Sequence, residues 1–280
     1  MIFSLFHRAI RRRLVRRGAQ RSIIDMREGQ LHVLTTRPDS PHATLLFIHG
    51  LGTSSNTWVH ILPALARTYR MHAVDLPGFG MSTLKHGKRF FTLQEHTNIL
   101  LEYINGHVTG KFTIIGHSLG GWLAARCALS FPSRVAQLVL VNTAGVYYEG
   151  MERQRDIFLI ESRHDTRKLI DLMWYRYPWY ARASIGWVFR ELRRRHVTDL
   201  VLSVTHDDFL NTRLRELAMP VTILWGREDR LVSPEVPVIL QREVGNVTLQ
   251  YIEECGHVPQ LEQPTEFLRL LQAVLAKDSS

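Results

Sequence analysis

The chain is predicted to fold as an α/β protein built on a mostly parallel sheet flanked by helices, and three observations carry that expectation. Short apolar runs rich in β-branched residues alternate with helical stretches. Several of those runs end directly in turn formers, as a strand feeding a loop at a sheet edge would. The 280-residue length and 45% hydrophobic composition suit one large core.

The elements follow in order. LHVLTT at 31–36 and TLLFIH at 44–49 read as strands, the second running into His49-Gly50-Leu51-Gly52. A helical stretch from Trp58 to Thr68 leads to the strand in MHAVDLPGFG, which runs out at Asp75 into a turn of Pro77, Gly78 and Gly80. A helix over Leu93–Asn105 precedes the strand KFTIIG, and GHSLGG at 116–121 opens the next helix. LVLVNTAG at 138–145, VTILWG at 221–226 and VTLQYI at 247–252 complete the strands, which read as buried on both faces of the sheet.

The net charge of +9 is concentrated at one end. Arg8, Arg11, Arg12, Arg13, Arg16, Arg17 and Arg21 all precede the first acidic residue, Asp25, and the remaining body is close to neutral. That distribution argues against a nucleic-acid partner, which needs a basic face on the folded body. Ile2, Phe6, Ile10 and Leu14 recur every four residues among these arginines, so residues 1–22 read as a basic amphipathic helix suited to an anionic membrane surface. The apolar residues precede the charge and no small-residue cleavage site follows, unlike a secretory signal, although a transit peptide shares the Arg-rich, acid-free composition. No apolar run is long enough to span a bilayer. The expectation is an intracellular protein with a peripheral membrane contact. Cys127 and Cys255 form neither a disulfide framework nor a metal-ligand spacing.

The chemistry is concentrated in the G-x-S-x-G segment between a strand and a helix. Glycines two before and two after Ser118 allow a sharp turn that exposes its hydroxyl, which makes Ser118 the candidate nucleophile. His257 follows a strand in ECGHVPQLEQP and is the candidate base, with a pKa suited to taking and returning a proton near neutrality. Asp229, three residues beyond the last glycine of VTILWG, is the candidate acid that orients the imidazole. Glu228 is its near competitor and reads as an exposed turn residue; Asp75 precedes the nucleophile and reads as stabilising its own turn. His117 reads as structural, and His49 as holding its loop by hydrogen bonding. The backbone amides of Leu51 and Leu119 are the candidate oxyanion donors. No metal or cofactor is expected, because this chemistry is complete without one.

HGLG at 49–52, DLPGFGMS at 75–82, GHSLGG at 116–121, WGREDRLV at 225–232 and GHVPQLEQP at 256–264 resemble the successive signature segments of the α/β-hydrolase superfamily. The likeness spans about residues 30–275. It implies an eight-stranded core sheet with a helical cap inserted after the sixth strand, and hence a core of residues 23–145 and 214–280 with a cap of residues 146–213. Aromatic residues crowd that cap, and Trp174, Tyr177, Trp179 and Trp187 are the candidate pocket lining.

The expected activity is hydrolysis of a carboxylic ester with an apolar acyl part, such as a monoacylglycerol, and the expected partner is that small-molecule or lipid substrate. WGREDRLV followed by CGH also resembles the carbon–carbon bond hydrolases of ring-fission products. Those carry Asn-Ser-Met-Gly-Gly at the elbow and an aromatic after the histidine, where this chain has His117-Ser118-Leu119 and Val258. An acyl thioesterase docking an acidic carrier through Arg193 to Arg195 is a further alternative. A non-catalytic, ligand-binding relative of the family is the alternative of another class.

Overall fold

A computed structural model of the protein describes residues 19–38, 43–151, 155–178 and 185–276. The amphipathic reading of the first 18 residues falls outside these. Gln20, Arg21 and Ser22, assigned from sequence to the end of that helix, instead begin a strand.

Nine strands form one sheet among the described residues. They are β1 (Gln20–Met26), β2 (Gly29–Thr36), β3 (Thr44–Ile48), β4 (Arg70–Val74), β5 (Thr83–Leu84), β6 (Phe112–His117), β7 (Val135–Val141), β8 (Val221–Gly226) and β9 (Val247–Ile252). Eight of them lie in the order β1-β2-β4-β3-β6-β7-β8-β9, and the two-residue β5 pairs with β2 off that path. The pairings β4–β3–β6–β7–β8–β9 are parallel, whereas β2 runs antiparallel to β1, β4 and β5. The expected mostly parallel sheet is therefore present, with the predicted eight strands plus one short addition.

Alternate residues of the central strands feed two cores. Leu46, Ile48, Ile114, Leu138 and Leu140 face one side, while Leu45, Phe47, Ile115, Val139 and Val141 face the other. Burial on both faces explains why these strands read as continuous apolar runs. Among the described residues the helices are α1 (Leu62–Leu65), α2 (Leu93–His107), α3 (Leu119–Ser130), α4 (Arg163–Met173), α5 (Ile185–Leu192), α6 (Arg195–Ser203), α7 (Glu235–Glu243), α8 (Pro259–Glu262) and α9 (Pro264–Ala276). Residues of α2 and α3 pack in the first core, and those of α1 and α9 in the second. Helix α2 begins at a capping box in which Thr92 accepts from the Glu95 amide and Glu95 accepts from the Thr92 amide.

Two predicted elements are shorter than expected. The helix at 58–68 breaks into a 3-10 turn, Ser55–Trp58, and the four-residue α1, because Pro63 has no N–H to continue a preceding turn. The strand at 138–145 starts earlier, at Val135, and stops at Val141 because Asn142 takes a left-handed φ of 40°.

The sheet order positions the site. From β3 the chain moves outward to β4, and from β6 it moves the opposite way to β7, so the loops after β3 and β6 diverge at a switch point where α/β sheets hold their ligands. Those loops carry Gly50-Leu51 and Ser118. The segment between β7 and β8, the sixth and seventh strands of the eight-strand path, holds α4, α5 and α6.

Beside that switch point Asp75 organises the loop after β4. Its carboxylate accepts the Ser55 amide at 2.7 Å, the Met81 amide at 2.9 Å and His32 Nδ1 at 2.9 Å. Burial pushes its carboxyl up, but the hydrogen bond from His32, the charges of His49 and His32 and the Ser55 bond prevail and hold it at about 2. A depressed carboxyl stabilises the fold fully above its ordinary pKa of 3.8 and loses that contribution as pH falls through about 2. Asp75→Asn is expected to cost roughly 2 kcal/mol or more in urea unfolding at pH 7, with the gap from the parent narrowing between about pH 4 and about pH 2. An unchanged gap across that range would show that the carboxylate charge is not what holds the loop.

Candidate active site

Ser118 sits between β6 and α3 at φ 53° and ψ −120°, a strained conformation for a residue with a side chain. The strain is sustained by close packing. A Cβ on Gly116 would lie 2.2 Å from the Gly120 carbonyl oxygen, and one on Gly120 would lie 2.3 Å from the Ile48 carbonyl oxygen, so both positions require glycine. The Ser118 amide donates to Val141 O at 3.0 Å, and its carbonyl accepts from the Gly121, Trp122 and Ala144 amides.

His257 and Asp229 meet from the loops after β9 and β8. His257 Nδ1 lies 2.8 Å from Asp229 Oδ2, with both side chains buried. The ionised carboxylate is an acceptor, so Nδ1 carries the hydrogen and Nε2 is left with its lone pair. Asp229 Oδ1 accepts the Leu231 and Val232 amides at 2.9 and 3.1 Å, and Oδ2 also accepts Asn142 Nδ2 at 2.7 Å.

The turn after β3 lies against the serine, since a Cβ on Gly50 would come 3.1 Å from Ser118 Cβ. The Gly50 carbonyl accepts from His49 Nδ1 at 2.8 Å, Thr53 Oγ1 at 2.8 Å and the Thr53 amide at 3.3 Å. That carbonyl and the Leu51 N–H belong to one planar peptide, so three bonds to the oxygen also fix the direction of the amide. His49 Nε2 accepts the Leu76 amide at 2.8 Å, which engages both ring nitrogens in holding the loop. Burial lowers the pKa of His49. Leu119 opens α3, and its N–H is one of the four that a helix leaves without an internal partner.

His117, on the elbow, donates from Nε2 to the His257 carbonyl at 2.8 Å, tying the serine's strand to the histidine's loop. Burial, reinforced by the neighbouring His257, lowers its pKa to about 3, so the ring is neutral and keeps Nε2–H as a donor. Glu228 is half-buried and accepts the Cys255 amide at 2.8 Å; it supports the His257 loop and is not the exposed turn residue expected.

Comparison with known proteins gives the family of the chain. A family model described as "Alpha/beta hydrolase family" matches residues 45–270. The chain belongs to the α/β-hydrolase family. It is 26% identical over 263 residues to a pimeloyl-[acyl-carrier protein] methyl ester esterase of Nitrosomonas europaea, covering 88% of this chain and 100% of that one. It is also 26% identical to a 2-hydroxy-6-oxo-2,4-heptadienoate hydrolase of Pseudomonas putida, covering 84% of this chain and 89% of the relative. A solved structure of a putative lipase from Acinetobacter baumannii superposes with a TM-score of 0.85 at 22% identity, covering 98% of this chain and 96% of the other. These relatives are hydrolases, and so is this chain.

In this α/β-hydrolase a cavity of about 250 Å³ is lined by Ser118, Leu51 and Leu119 and is otherwise largely apolar. Core residues Trp122, Leu231 and Val232 form part of its wall. Tyr148, Phe158 and Leu200 from the segment after β7 form another part. Trp122 stacks on Phe209 with ring centroids 5.0 Å apart. Trp174 and Tyr177, the expected lining, are not among the residues of this cavity. Both follow α4; Arg230 donates to the Trp174 carbonyl at 2.7 Å, and the Trp174 backbone passes the His257 loop, where a Cβ on Gly256 would meet Trp174 Cα at 3.0 Å. Trp179 and the side chain of Trp187 lie outside the described residues. No motif announces Tyr148, Phe158, Leu200 or Phe209, which line the cavity beside the motif residues. Among the described residues no group of three or more His, Cys, Asp or Glu side chains is placed to hold a metal, and no helix is long and apolar enough to cross a membrane.

The His257 loop of the α/β-hydrolase is also tied to the segment between β7 and β8. The His257 amide donates to the Met173 carbonyl at the end of α4 at 2.7 Å. Glu262 accepts the Gly256 amide at 2.8 Å through one oxygen and the Arg176 amide at 2.7 Å through the other. Burial raises the pKa of Glu262 against the pull of these bonds. Glu262→Ala strands two amides and is expected to cost about 1–3 kcal/mol. Hydrogen exchange should then speed up together in segments 173–178 and 254–263 while α2 is unaffected; loosening of only one segment would contradict the bridge.

Proposed function

We propose that the protein is a serine-dependent carboxylic ester hydrolase acting on an ester with an apolar acyl chain, such as a monoacylglycerol-type lipid. The observation that carries this reading is the apolar cavity that meets Ser118 where Leu51 and Leu119 converge on it. Ester cleavage needs a nucleophile, a base, an anion site and a dry place for the acyl group, and each has a candidate here.

Ser118 Oγ attacks the ester carbonyl carbon as His257 Nε2 takes its proton, and Asp229 stabilises the imidazolium through Nδ1. The carbonyl oxygen becomes an oxyanion that accepts from the Leu51 and Leu119 amides. Collapse expels the alkoxide, which takes the proton from His257 and leaves an acyl group on Ser118. Water, deprotonated by His257, repeats the attack and releases the acid. The helices of residues 146–213 act as a cap over the acyl site. The basic segment of residues 1–18 holds the enzyme at an anionic membrane surface, where its arginines meet lipid phosphates.

The cavity volume supports an expected acyl length. An apolar cavity of about 150 Å³ takes a six-carbon ring, so 250 Å³ corresponds to about ten carbons. With p-nitrophenyl esters, kcat/KM is expected to rise to acyl chains of about eight to ten carbons and to decline beyond about twelve, and Ser118→Ala should lower it by at least about 10³-fold. Anionic vesicles should raise turnover of the long-chain esters in the full chain and not in a variant lacking residues 1–18. Full activity in Ser118→Ala would sink the serine mechanism. Absence of ester turnover, with cleavage of a ring-fission diketone, would transfer the site to the carbon–carbon reading favoured by one relative's name. Turnover of acyl thioesters alone would mark a thioesterase, and binding without turnover a non-catalytic member.

A further inference from the structure

Asn142 ends β7 with its side chain fully buried and its backbone at φ 40°. Asn tolerates that conformation better than most residues with a side chain, but the fold could equally have used glycine there. The side chain does more than fill the turn. Nδ2 donates to Asp229 Oδ2 at 2.7 Å, the same oxygen that faces His257 Nδ1, and lies 3.5 Å from the Gly256 carbonyl oxygen. Oδ1 accepts the Gly226 amide at 3.1 Å, at the end of the strand that leads to Asp229. One amide therefore touches the acid, the strand that delivers it and the loop that delivers the histidine.

We propose that Asn142 is the positioning residue of this site: its amide fixes the Asp229 carboxylate so that Oδ2 serves His257, and it supplies a donor that does not titrate. The inference rests on the triad reading above. A carboxylate between two amides and an amide donor could rotate toward any of them; Leu231 and Val232 hold Oδ1, and Asn142 holds Oδ2 from the side opposite the backbone donors. The titratable groups around Asp229 are His257 itself, Glu228, whose carboxylate is engaged by the Cys255 amide, and the Cys255 thiol, whose pKa burial pushes up. Of these only His257 donates to Oδ2, and Asn142 supplies that oxygen's second, non-titrating donor.

Asn142→Asp keeps the size, the tolerance of positive φ and the acceptor for Gly226, and replaces only the donor. Two carboxylates at hydrogen-bond distance share one proton, and the second ionises with a raised pKa. At low pH the protonated carboxyl at 142 donates to Asp229 much as the amide does. As pH rises through the raised pKa that donor is lost, and the added negative charge holds His257 as imidazolium, unable to accept the Ser118 proton. The experiment measures kcat and KM of the parent, N142D and Ser118→Ala on a medium-chain p-nitrophenyl ester from about pH 5.5 to about pH 9, with thermal unfolding of each.

At about pH 8.5, kcat of N142D is expected to fall about 10- to 100-fold, with KM within about twofold. The ratio of variant to parent should climb as pH falls. A ratio constant with pH, or a lowered melting temperature with parent-like kcat, overturns the proposal and leaves Asn142 as a turn former. If N142D does not fold, Asn142→Gly relieves the backbone and removes the donor. It should lose kcat by a similar factor at every pH, and parent-like kcat in that variant is equally fatal. Retention of activity in Ser118→Ala instead condemns the triad reading as a whole.

Discussion

Ser118 occupies backbone space that an L-residue enters at a cost, and much of the surrounding architecture exists to keep it there. The elbow closes only because Gly116 and Gly120 let β6, α3 and the end of β3 approach to backbone contact. That contact requires β3 and β6 to be neighbours, which the sheet order provides, and it brings the turn after β3 beside the serine. The direction of the Leu51 amide then follows from bonds made on the far side of its own peptide, to His49 and Thr53. Strain at one residue is thus balanced by packing that also fixes the turn carrying the Leu51 amide.

The same pairing of residues has different uses elsewhere in the molecule. His32 and Asp75 form a second buried histidine–aspartate pair at 2.9 Å. There the carboxylate is committed to the loop amides of Ser55 and Met81, and the nearby Ser82 hydroxyl bonds the His32 amide and the Asp75 carbonyl rather than an imidazole. A histidine beside an aspartate is therefore no signature of chemistry by itself. What sets His257 apart is a loop tied to the serine's elbow through His117, with Nδ1 on Asp229, while His49 has both ring nitrogens engaged in structure.

Much of this was legible in the residues, for physical reasons that differ by element. Strands β3, β6 and β8 are buried on both faces, so their apolar runs stand out; β1 is an exposed edge strand whose sequence, QRSIIDM, has no such run. Ser118, Asp229 and His257 each sit at a strand end beside a glycine that the turn demands, which makes them visible locally. Asn142 and Glu262 act by meeting loops far away in sequence, and a single buried amide or carboxylate leaves no periodic trace. The cavity lining was less legible, because an aromatic cluster announces packing but not direction: Trp122, Phe158 and Phe209, scattered along the chain, line the space beside the serine, and Trp174 and Tyr177 are not among its residues.

The seam between Met173 and His257 bears on how such a fold diversifies. Part of the cavity wall comes from the segment between β7 and β8, so exchanging that segment is one way to change what the cavity accepts. The segment is not a freely exchangeable cassette, however, because its Met173 carbonyl and Arg176 amide are part of what holds the histidine loop in place. A successful graft must bring its own carbonyl and amide to the same two points. The wall and the tether thus impose different demands: a wall side chain can change with its cavity, while the stretch from Met173 to Arg176 must keep its backbone where the histidine loop meets it.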